Sequence, residues 1–111
     1  MPHLTLEHHE SAFTSAQSDS LLEKLQKCLG VLPTIKPENL KMRSVRFQSG
    51  WAGLEKKPYL NATFKLLPGR DDELKQTIAA AIKSEIHDFM LSEKSAEASI
   101  TVEIVDLEIY L

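Results

Sequence analysis

A single cysteine, Cys28, rules out an internal disulfide and any metal site built on a cysteine pair. Its neighbours Leu25 and Leu29 mark it as a core thiol. Only four glycines are spread over 111 residues, and none falls in a Gly-rich phosphate loop or a GxSxG elbow; HExxH is missing as well. Kinase, dinucleotide-dependent and serine-hydrolase chemistries thereby lose their usual sequence carriers. No apolar run approaches the roughly 18 residues of a membrane span. The start, Met1-Pro2-His3-Leu4-Thr5-Leu6-Glu7, has neither the basic residues nor the apolar stretch of a signal peptide, so a cytoplasmic protein without membrane contact is expected. Excess positive charge is also lacking: 13 Lys and Arg face 16 Asp and Glu, a formal net charge of −3, with no basic block. Binding to nucleic acid through bulk phosphate attraction is therefore not expected. What is present, 42% apolar residues in a 12.5 kDa chain, suits one domain, 1–111.

Apolar periodicity divides that domain into two β-α-β units, 2–48 and 58–106. Leu4 and Leu6 alternate with Thr5 and Glu7, the period of a strand beginning almost at the first residue. From Ser18 onward, Leu21, Leu22, Leu25, Cys28, Leu29 and Leu32 recur at helical spacing. Ser20 and Glu23 match a capping box, so a helix of about three turns is predicted, closed by Gly30 and Pro33. Leu40 to Gln48 reads as a second strand with Arg43, Val45 and Phe47 on one face. Ser49-Gly50-Trp51-Ala52-Gly53 is turn chemistry, and Tyr59 to Leu67 is a third strand with Leu60, Ala62, Phe64 and Leu66 on one side. Asp71, Asp72 and Glu73 open a second helix that buries Leu74, Ile78, Ala81, Ile82, Ile86 and Phe89 and ends near Met90. After a polar connection, 92–99, Ile100, Val102 and Ile104 form the last strand.

Right-handed crossovers then place both helices on one face of a single four-stranded mixed sheet, an α+β arrangement within the broad α/β class. The other face, carrying Leu4 or Thr5, Val45, Phe47 and Val105, is expected to be apolar and covered by self-association. Leu107, Ile109 and Leu111 predict an edge strand reaching a neighbouring copy.

Three residues stand out as carriers of chemistry. Removal of Met1 ahead of a small residue would leave Pro2 as a free secondary amine, and α-amino groups titrate near about 7.7–8.0. Burial beside positive charge favours the neutral form and makes it a general base, which an immediately following strand would hold in place. Arg70, in Leu67-Pro68-Gly69-Arg70-Asp71-Asp72-Glu73, sits at a strand-to-helix turn where its fork suits a carboxylate; the plainer alternative is an ion pair with Asp71 or Asp72. Arg43 shares a strand face with apolar neighbours, where a charge needs a partner or a wet cleft, whereas Arg46 has the parity of a solvated residue. His3, His8, His9, Glu7 and Glu10 lack zinc-ligand spacing and are expected at the frayed end of the first strand, so no metal is expected.

The start Met1-Pro2-His3-Leu4, the β-α-β-β-α-β order and Met42-Arg43-Ser44 resemble the 5-carboxymethyl-2-hydroxymuconate isomerase family of the tautomerase superfamily. The stretch Leu67 to Lys75 is similar to the Gly-Arg turn and helix start of 4-oxalocrotonate tautomerase. The resemblance implies an isomerase that is cofactor-free and homotrimeric and acts on a small carboxylate of aromatic catabolism. In that reading Pro2 is the catalytic base, and Arg43 and Arg70 hold the carboxylates. Phe47 and Trp51 stand as expected walls of the substrate pocket. Activation of water by Glu7 or Glu10 would point to a hydration-dependent reaction instead. The alternative in another class is a non-catalytic oligomer that keeps the scaffold and binds a small carboxylate or a protein.

Overall fold

In the computed structural model, which describes residues 2–95 and 98–111, the alternation at the start becomes β1 (His3–His9). Met1 and part of the 92–99 connection lie outside the described residues. Leu4, Leu6 and His8 point into the protein, while His3, Thr5, Glu7 and His9 lie on the opposite side. The first helix, α1 (Ser15–Gly30), begins earlier than expected, so it runs 16 residues rather than about three turns. Its capping box is Thr14 with Gln17, not Ser20 with Glu23: Thr14 Oγ1 accepts from Gln17 N at 3.1 Å and Gln17 Oε1 accepts from Thr14 N at 2.9 Å. Buried Phe13 fixes the chain at that point, and such a cap contributes about 1 kcal/mol.

The remaining elements are β2 (Lys41–Phe47), β3 (Tyr59–Leu66), α2 (Asp72–Ser92) and β4 (Ser99–Asp106), with a short 3-10 turn at Pro37–Asn39 ahead of β2. The strands lie in the order β2-β1-β3-β4. β1 and β2 are parallel, β3 and β4 are parallel, and the central pair β1–β3 is antiparallel, with His3 opposite Lys65 and His8 opposite Leu60. Each β-α-β unit therefore supplies one parallel pair, and the units join through their first strands. This register sets the residues just before β1 beside those just after β3. Leu4, Leu6, Leu60, Ala62, Phe64 and Leu66 of the sheet meet Leu21, Leu25 and Leu29 of α1 and Ile78, Ile82, Ile86 and Phe89 of α2. Each Leu, Ile or Phe among them contributes about 1.5–3 kcal/mol by leaving water.

The face away from the helices differs from expectation. Thr5, not Leu4, is on it, because Leu4 is fully buried under the helices. Val45, Phe47 and Val105 are accompanied by His3, Glu7, Lys41, Arg43, Asn61, Thr63, Lys65 and Glu103, so the face is polar over much of its area rather than an apolar sheet. Within one protomer Leu107, Ile109 and Leu111 form no strand. Leu107 N donates to Leu66 O at 2.7 Å, after which the chain leaves the ladder and brings Tyr110 Oη to 2.7 Å from His3 Nε2. Cys28 is half-buried between the helices, with Sγ 3.9 Å from Ala81 O. Burial first, then Glu85, pushes its thiol pKa up, which favours the thiol over the thiolate. No helix among the described residues is long and apolar enough to cross a membrane.

His8 is not at a frayed end: it is fully buried on the helix side of β1. Nδ1 donates to His9 O at 2.9 Å, which leaves Nε2 to accept from Ser44 Oγ at 2.8 Å, with Ser18 Oγ at 3.2 Å. Burial is the main cause that lowers its pKa, helped by Arg46 and His9 and opposed by the bond to the His9 carbonyl. A histidine whose folded pKa is depressed contributes stability above its unfolded value, near 6.5, that is lost as pH falls toward the folded value. The urea midpoint is thus expected to drop between pH 7.5 and pH 5. A His8→Asn variant should be less stable at pH 7.5 but show a flatter pH dependence; parallel curves would remove His8 as the cause.

Candidate active site

The antiparallel β1–β3 register places Pro2 against the end of β3. Pro2 is half-buried, and its carbonyl accepts from Lys41 N at 3.0 Å, which ties it to the start of β2. It lines a cleft of about 220 Å³ together with Thr34, Lys36, Asn39, Leu66, Leu67 and Arg70. That is below the roughly 300–1,000 Å³ typical of drug-sized ligands and suits a small metabolite.

Arg70 reaches the cleft because of its local sequence. Gly69 takes φ 122°, a conformation that turns the chain sharply out of β3. Asp71 then caps α2, accepting from Leu74 N at 2.9 Å, so Arg70 is fixed between turn and cap. Its Nε donates to Thr34 Oγ1 at 3.0 Å, Nη2 to Thr34 O at 3.0 Å and Nη1 to Leu67 O at 3.1 Å. Neither Asp71 nor Asp72 pairs with it among the described residues, which removes the plain surface ion pair.

Thr34, Lys36 and Asn39 were not singled out from the sequence. They belong to the irregular segment between α1 and β2, where no period marks a position. One signal was present: in a parallel β1–β2 pair the residues preceding β2 lie at the same sheet end as those preceding β1. The segment also folds back closely, since a Cβ on Gly30 would stand 2.8 Å from Pro37 Cγ. Among the described residues the resulting lining holds two cations, Lys36 and Arg70, one amide and no acid. Such a surface suits a carboxylate beside the Pro2 nitrogen.

The other expected site residues lie elsewhere in the protomer. Arg43 pairs with Thr5 on the sheet face opposite the cleft, where it is exposed. There Arg43 and Lys41 add to burial in lowering the pKa of His3. Phe47 pairs with His9, about 20 Å along the strand from the Pro2 end at a rise of roughly 3.3 Å per residue, and packs on Tyr59 with ring centroids 4.7 Å apart. Trp51, 63% exposed, is in the β2–β3 loop beyond it. Neither aromatic lines the cleft, and neither do Glu7 and Glu10. Arg46 is exposed as expected, with Nη2 donating to Glu10 O at 3.2 Å. Among the described residues no cluster of His, Cys, Asp and Glu is arranged to hold a metal.

Two tandem β-α-β units, one mixed sheet and both helices on one face define the tautomerase fold. The solved structures that share it include a 5-carboxymethyl-2-hydroxymuconate isomerase from Deinococcus radiodurans R1, with TM-score 0.79 and 22% identity over 99% of this chain and 87% of that one. A crystal structure of a protein inactivated by 2-oxo-3-pentynoate is similar with TM-score 0.78 and 16% identity, over 98% of this chain and 91% of the other. A fused 4-OT wild-type symmetric trimer matches with TM-score 0.77 and 18% identity, over 95% and 86%. No protein-family model and no curated protein matches the sequence.

Proposed function

We propose that the chain is a cofactor-independent enol–keto tautomerase of the 5-carboxymethyl-2-hydroxymuconate isomerase kind, acting on unsaturated 2-hydroxy or 2-oxo di- or tricarboxylates. The observation that carries this reading is the convergence of Pro2, Lys36 and Arg70 in one cleft without an acid. Once Met1 is removed, the Pro2 nitrogen is a secondary amine with two cations in its surroundings, and their charge disfavours its protonation. As the neutral base it takes the 2-hydroxyl proton of the dienol. The electron pair moves through the conjugated system, and the same proton is returned at another carbon of that system, so that nothing is oxidised or reduced. Arg70 holds the carboxylate next to the developing 2-oxo group, where negative charge grows, and Lys36 meets a second acid group.

Arg43 enters this chemistry only from a second copy, since within one protomer it lies across the sheet. β2 is an edge strand, which leaves a free ladder for such a contact, and the trimeric 4-OT structure supports three copies. Phe47 and Trp51 are proposed for a pocket wall on the same condition.

The test is turnover of 2-hydroxymuconate and its 5-carboxymethyl derivative, followed by ultraviolet absorbance, with intact mass measured on the same sample. Turnover by chains that have lost Met1 is expected. A folded, processed protein that leaves both compounds unchanged would overturn the isomerase reading in favour of a carboxylate-binding oligomer.

A further inference from the structure

We infer that Thr34 is a positioning residue for Arg70: it closes one edge of the guanidinium and leaves a fixed pair of N–H donors for a substrate carboxylate. The inference rests on reading the cleft as a carboxylate-binding reaction site. An arginine has five N–H donors. Three are engaged inside the protein, Nε–H with Thr34 Oγ1 at 3.0 Å, an Nη2–H with Thr34 O at 3.0 Å and an Nη1–H with Leu67 O at 3.1 Å. Nε and Nη2 lie along one edge of the planar group, and both donate to Thr34, which meets that edge with two oxygens as a carboxylate would. The remaining donors, one on Nη1 and one on Nη2, are held in place before any ligand arrives. The rotamer freedom that a loose arginine loses on binding is therefore already lost.

Thr34 itself carries a conformational cost. It is a β-branched residue at φ 67°, a region that such residues rarely adopt. Its side chain is exposed, so packing does not account for a threonine there; the bond its hydroxyl oxygen accepts from Arg70 Nε does. Strain retained on a residue whose hydroxyl and carbonyl both serve one cleft arginine is the pattern of function kept at the expense of stability.

The test compares Thr34→Gly, Thr34→Ala and Thr34→Ser, the Ala change also in an Arg70→Ala background. Readouts are Tm, the Kd of the unreactive dicarboxylate cis,cis-muconate by calorimetry, and KM and kcat on 2-hydroxymuconate. Thr34→Gly is expected to keep or raise Tm, because the backbone strain is released, while Kd and KM rise about 3- to 10-fold with kcat changed less. Thr34→Ser should restore wild-type binding, and Thr34→Ala should add less than about twofold once Arg70 is gone. An unchanged Kd in Thr34→Ala, or an equal loss with and without Arg70, would overturn the positioning role. Wild-type protein that binds muconate but does not turn over 2-hydroxymuconate defeats the isomerase reading and leaves the Kd comparison in force. Wild-type protein that binds no muconate defeats the positioning role itself.

Discussion

Pro2→Ala should give a folded protein whose kcat on 2-hydroxymuconate is lower by about 10²-fold or more, the usual contribution of a positioned general base. The fold is expected to be indifferent to the change. Pro2 precedes the first strand, is only half-buried, and its one backbone bond, from Lys41 N to its carbonyl at 3.0 Å, is kept by alanine. Alanine at this position also permits removal of Met1, so both proteins begin with a free amine and differ in its kind. The proline ring holds the nitrogen as a secondary amine in a fixed position relative to Cα. The primary amine of alanine rotates freely and is more strongly hydrated. KM should change much less than kcat, because in the proposed mechanism the amine acts on the reacting proton rather than on the carboxylates. Turnover by Pro2→Ala within a fewfold of wild type would assign the base to another group.

Much of the fold was legible because its elements are long and strictly periodic. The face shared by Arg43, Val45 and Phe47 followed from strand parity and is observed, and of the α2 positions the helical spacing marked, Ile78, Ile82, Ile86 and Phe89 are buried while Leu74 and Ala81 are half-buried. Pro2 and Arg70 were also visible, one as the residue before the first strand and the other at a strand-to-helix turn. Their proximity was not, because it depends on β1 and β3 pairing antiparallel, a choice that no local pattern encodes. Lys36, Asn39 and Thr34 escaped notice for a related reason. They lie in a segment shaped by Pro37 packing on Gly30 and by a positive φ at Thr34, neither of which leaves a period. The cap at Thr14 and the burial of His8 show tertiary context deciding between similar local options. Ser20 and Glu23 have cap spacing as good as Thr14 and Gln17, but only the latter pair adjoins a buried Phe13. Within one protomer distance separates Phe47 and Trp51 from the cleft, because a strand that starts beside Pro2 ends far from it.

Arg70→Ala should lower kcat/KM for a dicarboxylate by about 10²- to 10³-fold, the loss typical of removing a donor aimed at developing negative charge. Both constants should suffer. In the proposed mechanism the guanidinium meets the carboxylate in the ground state, so its loss would raise KM, and the charge it faces grows as the dienolate forms, so its loss would also lower kcat. Stability should change little: the acceptors released, Thr34 Oγ1, Thr34 O and Leu67 O, lie at exposed positions where water replaces the arginine. Arg70→Lys separates charge from geometry. An ammonium keeps the positive charge but cannot span two oxygens of Thr34 and one of Leu67 while presenting a flat pair of donors to substrate. It should therefore recover only part of the lost rate, mostly through KM. Near-wild-type kcat/KM in Arg70→Ala, with Tm unchanged, would transfer the carboxylate to Lys36, which lines the same cleft as an exposed, flexible point charge. The three internal bonds argue against that outcome, since an arginine already locked in place holds an anion with less ordering cost than a lysine that must be fixed by the ligand it binds.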